Sequence, residues 1–204
     1  MSELKHTYLT IKTTGTAVFK EKSSKFIGFA KSCASLSDVN ELLHMLKKEH
    51  PQASHFCYAY SLDPLSKKTR ANDDGEPSNS AGIPILGQIN SFDLSNVLVV
   101  VVRYYGGVKL GVGGLVQAYK NAAREALLNA EIVEVEIGNN YHLEFPYEKL
   151  AELMNYLKRM KINIDQSQID SNCSVRIYLP LSKSKPFLEE LIEKQGIEIK
   201  KTTI

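Results

Sequence analysis

The sequence predicts an α+β protein in two parts, and three features carry that prediction. Residues 97–102 read Val-Leu-Val-Val-Val-Val. An unbroken β-branched run of this kind needs cover on both faces, so it marks the central strand of a sheet. A loop with five glycines in nine positions, Gly106 to Gly114, follows it, and then a helix pattern from about Leu115 to Asn129. From residue 139 onward the apolar pattern alternates between strand and helix periods in the order βαββαβ. That order in about 65 residues is the ferredoxin-like split arrangement, four antiparallel strands with both helices on one face.

Taken in order, Tyr8–Ile11 and Thr16–Cys33 are rich in Val, Phe, Ile and Thr, with polar Lys22-Ser23-Ser24-Lys25 at the middle of the second stretch. They predict a strand and then a hairpin. Val39, Leu42, Leu43 and Leu46 fall at i, i+3, i+4 and i+7, one face of a helix that Ser35 or Ser37 can cap and Pro51 ends. Ser54–Leu62 returns to strand composition, and Asp63–Gly82 is a polar segment too long for a tight turn. A loop of that length in a compact domain is expected to be functional or mobile. In the 115–129 helix, Leu115, Ala118, Tyr119, Ala122 and Ala126 share one face, while Gln117, Lys120, Asn121 and Arg124 share the opposite one. Glu131–Ile137 alternates acidic and apolar residues, as a half-buried strand does. The turn-rich Gly138-Asn139-Asn140 sets the expected boundary between domains 1–138 and 139–204. In the second part, strands are expected at Tyr141–Phe145, Ile162–Ile169, Val175–Leu179 and Ile197–Thr202, with helices opening at Pro146 and at Pro186–Lys194.

Composition excludes several classes. With 43% hydrophobic and 24% charged residues in 204, a core can form and wholesale disorder is not expected. No apolar run approaches the roughly 18–20 residues that span a bilayer, and MSELKHTYLT lacks a signal-peptide core, so a cytoplasmic location without a membrane partner is expected. Cys33, Cys57 and Cys173 are widely spread, with no Cys-x-x-Cys pair. They predict reduced core residues rather than a disulfide framework or a four-cysteine zinc site. The net charge is +2 and the pI about 8.3, below the value above 9 typical of strong nucleic-acid binders. An anionic partner must therefore meet a local patch.

The glycine loop is the best candidate for that patch. Glycines let backbone N–H groups approach a ligand closely, and the following helix N-terminus adds unpaired donors and a positive dipole end. No acidic residue occurs from Leu94 through Arg124, whereas Arg103, Lys109, Lys120 and Arg124 are basic. Phosphate or nucleic-acid contacts are thus expected from these four and from Gly106, Gly107, Gly111, Gly113 and Gly114. A purely structural role for the glycines, permitting a tight crossover, is the competing reading. The G-x-x-x-x-G-K-[ST] and G-x-G-x-x-G fingerprints are both absent.

Asp73, Asp74 and Glu76 are candidate ligands for a divalent cation, although they lack EF-hand spacing and a solvated turn is the favoured reading. His55 and Cys57, two apart on a strand, share a face as a metal or Cys–His pair could, or as ordinary buried residues. Ser78 and Ser80 lie outside any nucleophile elbow. No catalytic residue and no cofactor are assigned. On the C-terminal sheet, Tyr141, Phe145, Arg176 and Tyr178 are candidates for docking a protein.

The strings KFIGFA (25–30), HFCYAY (55–60), DDGEPSNSAGIPIL (73–86) and NVLVVVVRYYGGVKLGVGGLVQAYKNA (96–122) resemble the IMPACT family, and more closely its bacterial YigZ-type members. Three positions depart from the family's common pattern: Asn79-Ser80 in place of Gly-Thr, Tyr105 in place of Phe, and Gln117 in place of Arg. The resemblance implies an N-terminal α/β sandwich of the kind shared by a ribosomal protein domain and elongation factor G domain IV, and a C-terminal domain similar to domain V of that factor. It also implies a non-enzymatic, translation-related regulatory role with RNA or the ribosome as partner. The alternative is a protein or enzyme that takes a nucleotide or small phosphorylated metabolite at the same loop, with magnesium held by the acidic segment. The RWD module of eukaryotic members does not fit in this chain, so its partner is not carried over.

Overall fold

The computed structural model describes residues 6–170, 172–193 and 196–202. It is a mixed α/β structure whose contacts divide into two units, Tyr8–Val135 and the residues from Glu136 onward joined by those up to Thr7.

The first unit comprises β1 (Thr7–Thr13), β2 (Gly15–Glu21), β3 (Ser24–Ser32), α1 (Leu36–Glu49), β4 (His55–Leu62), β5 (Lys68–Asn72), α2 (Gly82–Ser91), β6 (Val97–Tyr104), α3 (Gly111–Leu128) and β7 (Glu131–Glu136). Five strands form one antiparallel sheet in the order β2-β3-β6-β4-β5, and β1 pairs separately with β7. The valine run lies at the centre of the sheet, as its composition requires. Val97, Val99 and Val101 pack with Ile85 and Ile89 of α2 and Leu115, Tyr119 and Ala122 of α3. Leu98, Val100 and Val102 pack with Val39, Leu42 and Leu46 of α1.

Each helix is held for a local reason. Ser35 and Asp38 form a reciprocal capping box at the start of α1, and Lys47 and Lys48 lie in its last turn, where the dipole favours cations. The face of α3 that packs on the sheet is rich in alanine (Ala118, Ala122, Ala123 and Ala126), so the backbone of the helix comes close to the strands. A Cβ at Gly28 of β3 would overlap the Ala122 carbonyl oxygen, and one at Gly15 of β2 would overlap that of Ala126.

The second unit contains β8 (Gly138–Pro146), a 3₁₀ turn at Tyr147–Lys149, α4 (Leu150–Arg159), β9 (Ile164–Gln168), β10 (Asn172–Pro180), α5 (Leu181–Glu193) and β11 (Glu198–Thr202). Its sheet is antiparallel in the order β11-β8-β10-β9. Leu153, Tyr156 and Leu157 of α4 and Phe187 and Leu191 of α5 pack on Leu143, Val175 and Ile177. Lys194, the expected end of the second helix, lies outside the described residues.

Three expectations change. The tripeptide 138–140 is the start of β8 rather than a turn. Its glycine is required by close approach, because a Cβ there would sit 2.6 Å from the Leu179 carbonyl oxygen. The 63–82 segment contains strand β5, and helix α2 begins where it ends. Residues 111–114 form the first turn of α3 rather than part of the loop.

Candidate functional site

The acidic segment after β5 is a knot of backbone hydrogen bonds. Asp73 Oδ1 accepts from the Ala81 and Gly82 amides at 3.0 and 2.8 Å, and its Oδ2 accepts from the Asn79 amide at 2.9 Å. Asp73 thereby caps α2, whose own preceding residue, Ala81, has no polar side chain to do so. Asp74 Oδ2 accepts from the Phe56 amide at 2.7 Å. Asp74, Gly75 and Asn79 all have positive φ (42°, 87° and 62°). Asn is among the few non-glycine residues that tolerate this conformation, which explains how position 79 accommodates a residue other than glycine. Ser80 is fully buried and its hydroxyl donates to the Pro77 carbonyl.

β4 is fastened to the same knot. The Cys57 thiol donates to the Asp73 carbonyl at 3.0 Å, and His55 Nδ1 lies 2.8 Å from the Asp74 carbonyl, which fixes the ring. His55 Nε2 is 3.8 Å from Glu76 Oε1.

Glu76 points inward, with its side chain only 4% exposed. One carboxylate oxygen pairs with Arg103 Nη1 and also accepts from the Tyr119 hydroxyl at 2.7 Å. Arg103 is itself 6% exposed at the side chain, and its guanidinium lies over the rings of Phe26 and Tyr105, 5.4 and 5.3 Å from their centroids. Its Nε is the one buried side-chain polar atom among the described residues that lacks a hydrogen-bond partner. Such an atom ordinarily costs about 1–3 kcal/mol.

Residues 105–114 lie at the surface in front of this cluster. Tyr105, Val108 and Val112 are about half exposed, and Lys109 is exposed. Gly107 and Gly111 have φ of +83° and +72°, and a Cβ at either, or at Gly113, would meet open space. Gly106 differs, because its Cα lies against Ser23 in the β2–β3 turn, and its amide reaches Ser24 Oγ at 3.3 Å. Lys22 on that turn and Lys25 at the start of β3 are exposed. The bend is thus accessible rather than covered by apolar neighbours, and α3 begins without a side-chain cap or an acidic residue in its first turn.

Of the four basic residues expected around the bend, Lys109 is on it. Lys120 and Arg124 are exposed on α3, nine and thirteen residues after Gly111, so they lie about 14 and 20 Å along the axis rather than at its start. Arg103 is a correction in its setting: it is buried and ion-paired through Nη1 to Glu76 instead of being a free surface cation, with Nε left unpartnered. Asp73, Asp74 and Glu76 are a second correction, because backbone amides, Arg103 and Tyr119 hold at least one carboxylate oxygen of each. Among the described residues no group of three or more His, Cys, Asp or Glu side chains could hold a metal ion. The C-terminal aromatics are a third, since Tyr141 and Phe145 face the core and only Arg176 and Tyr178 are exposed. Sequence reasoning missed Ser24, Ser54 and Tyr119. For Tyr119 a signal existed: a lone tyrosine among alanines on an inward face has a hydroxyl that must find a partner.

Burial also fixes the thiol chemistry. All three cysteines are free and buried. Desolvation pushes the Cys33 thiol up to about 12, and it raises Cys57 strongly, reinforced by the charge of Glu76. Both stay protonated at neutral pH, and the thiolate is the reactive form. Native protein at pH 8 is expected to resist iodoacetamide, and all three cysteines should be labelled only after unfolding, as intact-mass measurement would show. Rapid labelling of Cys57 in the native state would contradict the burial.

Residues 22–127, more than half of the chain, match the Impact N-terminal domain. The chain is 31% identical over 188 residues to IMPACT family member YvyE of Bacillus subtilis, covering 92% of this chain and 87% of that protein. It is 31% identical to IMPACT family member YigZ of Escherichia coli, covering 87% and 88%. Protein IMPACT of Rattus norvegicus aligns over 47% of this chain and 31% of its own length, at 32% identity. A solved crystal structure of a hypothetical protein superposes with a TM-score of 0.75 at 28% identity, covering 98% of this chain and 99% of that one. The matched domain takes in the capped acidic knot, the valine strand and the glycine bend, and the bacterial alignments run on through most of the chain: it belongs to the IMPACT family.

Proposed function

We propose that this protein is a non-enzymatic, cytoplasmic, translation-related factor that binds RNA or a ribosomal surface through the 105–114 bend. The observation that carries the reading is the accessible glycine backbone, free of acidic side chains from Leu94 to Arg124, with Lys109 on it, Lys22 on the adjoining turn and Lys25 at the start of β3. Backbone amides and lysines contact phosphates without regard to sequence. The resemblance to elongation factor G domains supports the translational context, as an analogy of fold. Under this reading Gly106, Gly107, Gly111, Gly113 and Gly114 set the close approach, and Lys120 and Arg124 extend the cationic surface along α3.

Filter binding of total tRNA and rRNA across a salt series tests it. Three lysine contacts predict that log K falls with log salt with a slope of about −2 for single strands and about −3 for duplex. Lys109→Glu should weaken binding at every salt concentration and flatten the slope. Absence of binding at low salt, or binding indifferent to salt, would count against the reading. A small phosphorylated ligand at the same bend is the second reading, favoured by the unpaired Arg103 Nε behind it.

A further inference from the structure

We infer that the Nε–Nη2 edge of Arg103, together with the Gly106 amide, is a seat for one phosphate group, which enters by displacing the ring of Tyr105. This deepens the reading above by naming the group recognised and the atoms that recognise it.

Donors outnumber acceptors around the guanidinium. Arg103 Nη1 is committed to Glu76, and Nε has no partner. Nη2 reaches only Ser24 Oγ, at 3.4 Å, and the Gly106 amide reaches the same oxygen at 3.3 Å. The Tyr105 amide reaches Ser54 Oγ at 3.4 Å. Ordinary N–H···O bonds are about 2.9–3.0 Å, so three N–H groups share two serine oxygens at the outer limit of hydrogen bonding, and a fourth, Nε, has none. The Nε and Nη2 hydrogens point the same way and form the guanidinium fork that matches two oxygens of a phosphate or carboxylate. A phosphate can accept from this fork and the Gly106 amide together, which neither serine can do.

The two covers of the guanidinium differ. Phe26 is fully buried and fixed in the core. Tyr105 is 46% exposed and is followed by Gly106 and Gly107, the latter at positive φ with open space around it. Displacing Tyr105 therefore disturbs no packed core. Glu76 keeps its place on Nη1 as counter-ion, and the exposed Lys22 and Lys25 beside the turn balance the added negative charge. The phosphate could be free or part of an RNA backbone, and the chemistry of the seat is the same.

The test is ¹⁵N NMR of the full chain, following the Arg103 Nε–H and Gly106 amide resonances. Inorganic phosphate is added at constant ionic strength in one arm and a short single-stranded RNA in the other. The inference predicts a saturating downfield shift of both resonances in at least one arm. Tyr105→Ala, a surface change, should tighten phosphate binding about fivefold, because the ring's contact with the cation no longer competes. Arg103→Lys, which keeps the charge but loses the fork, should weaken it at least about tenfold. If that variant does not fold, Tyr105→Ala still decides the matter. A shift with phosphate while RNA does not bind supports the seat and removes the RNA reading. A shift with phosphate while RNA binds without moving Arg103 Nε–H supports the seat for free phosphate and places RNA elsewhere, and RNA binding with both resonances unmoved in both arms overturns the seat. Silence of both resonances in both arms, or weaker phosphate binding by Tyr105→Ala, also overturns it.

Discussion

Replacing Glu76 with alanine is expected to destabilise the Tyr8–Val135 unit by about 3–5 kcal/mol, because it leaves the buried Arg103 charge without its counter-ion. It also strips the Tyr119 hydroxyl, in a fully buried ring, of its acceptor. The loss should appear as a large fall in the urea midpoint with an unchanged slope. Glu76→Gln keeps an oxygen for Tyr119 but removes the charge, so it should fall between alanine and the natural residue. An exposed pair serves as contrast: Lys67 and Asp93 are each 54% exposed, and Lys67→Met should change stability by less than about 1 kcal/mol. If the two losses are similar, Glu76 is not the counter-ion that holds this core.

Gly106→Ala should destabilise by about 1–3 kcal/mol, since the new Cβ overlaps the Ser23 carbonyl oxygen and the β2–β3 turn must move away from the bend. The displaced bend should also bind RNA more weakly. Gly113→Ala makes the opposite prediction for stability. Its Cβ meets nothing, it lies in the first turn of α3, and alanine there should stabilise by about 0.5–1 kcal/mol. Thermal unfolding of the two variants side by side separates glycine needed for close approach from glycine needed for an open surface.

Much of the fold was legible where one residue pattern decides one element. The six-residue run at 97–102 required cover on both faces and has it. The inward face read for the 115–129 helix is the face that packs on the sheet. The order of elements after residue 139 could be read because its two central strands, β8 and β10, alternate between core and surface. The 63–91 region was not legible, for physical reasons. β5 is a largely exposed edge strand, Lys68–Asn72, with no apolar alternation to report it. The cap of α2 is Asp73, nine residues before Gly82, so no local cap signal precedes Gly-Ile-Pro-Ile-Leu. The acidic residues look like a cation site in one dimension because oxygen-rich turns and backbone-capping turns have the same composition. Which of the two forms depends on the amides of Phe56, Ala81 and Gly82, which only the fold brings near. The burial of Arg103 was hidden in the same way, since its partner Glu76 lies 27 residues earlier and their pairing is visible only in the fold.

The most direct measurement of where this protein meets a nucleic acid is ultraviolet crosslinking to bound RNA, followed by identification of the modified peptides. Contact through the glycine bend predicts crosslinks at Tyr105 and within residues 104–114. Crosslinks confined to the open face of the C-terminal sheet, around His142 and Arg176, would contradict it.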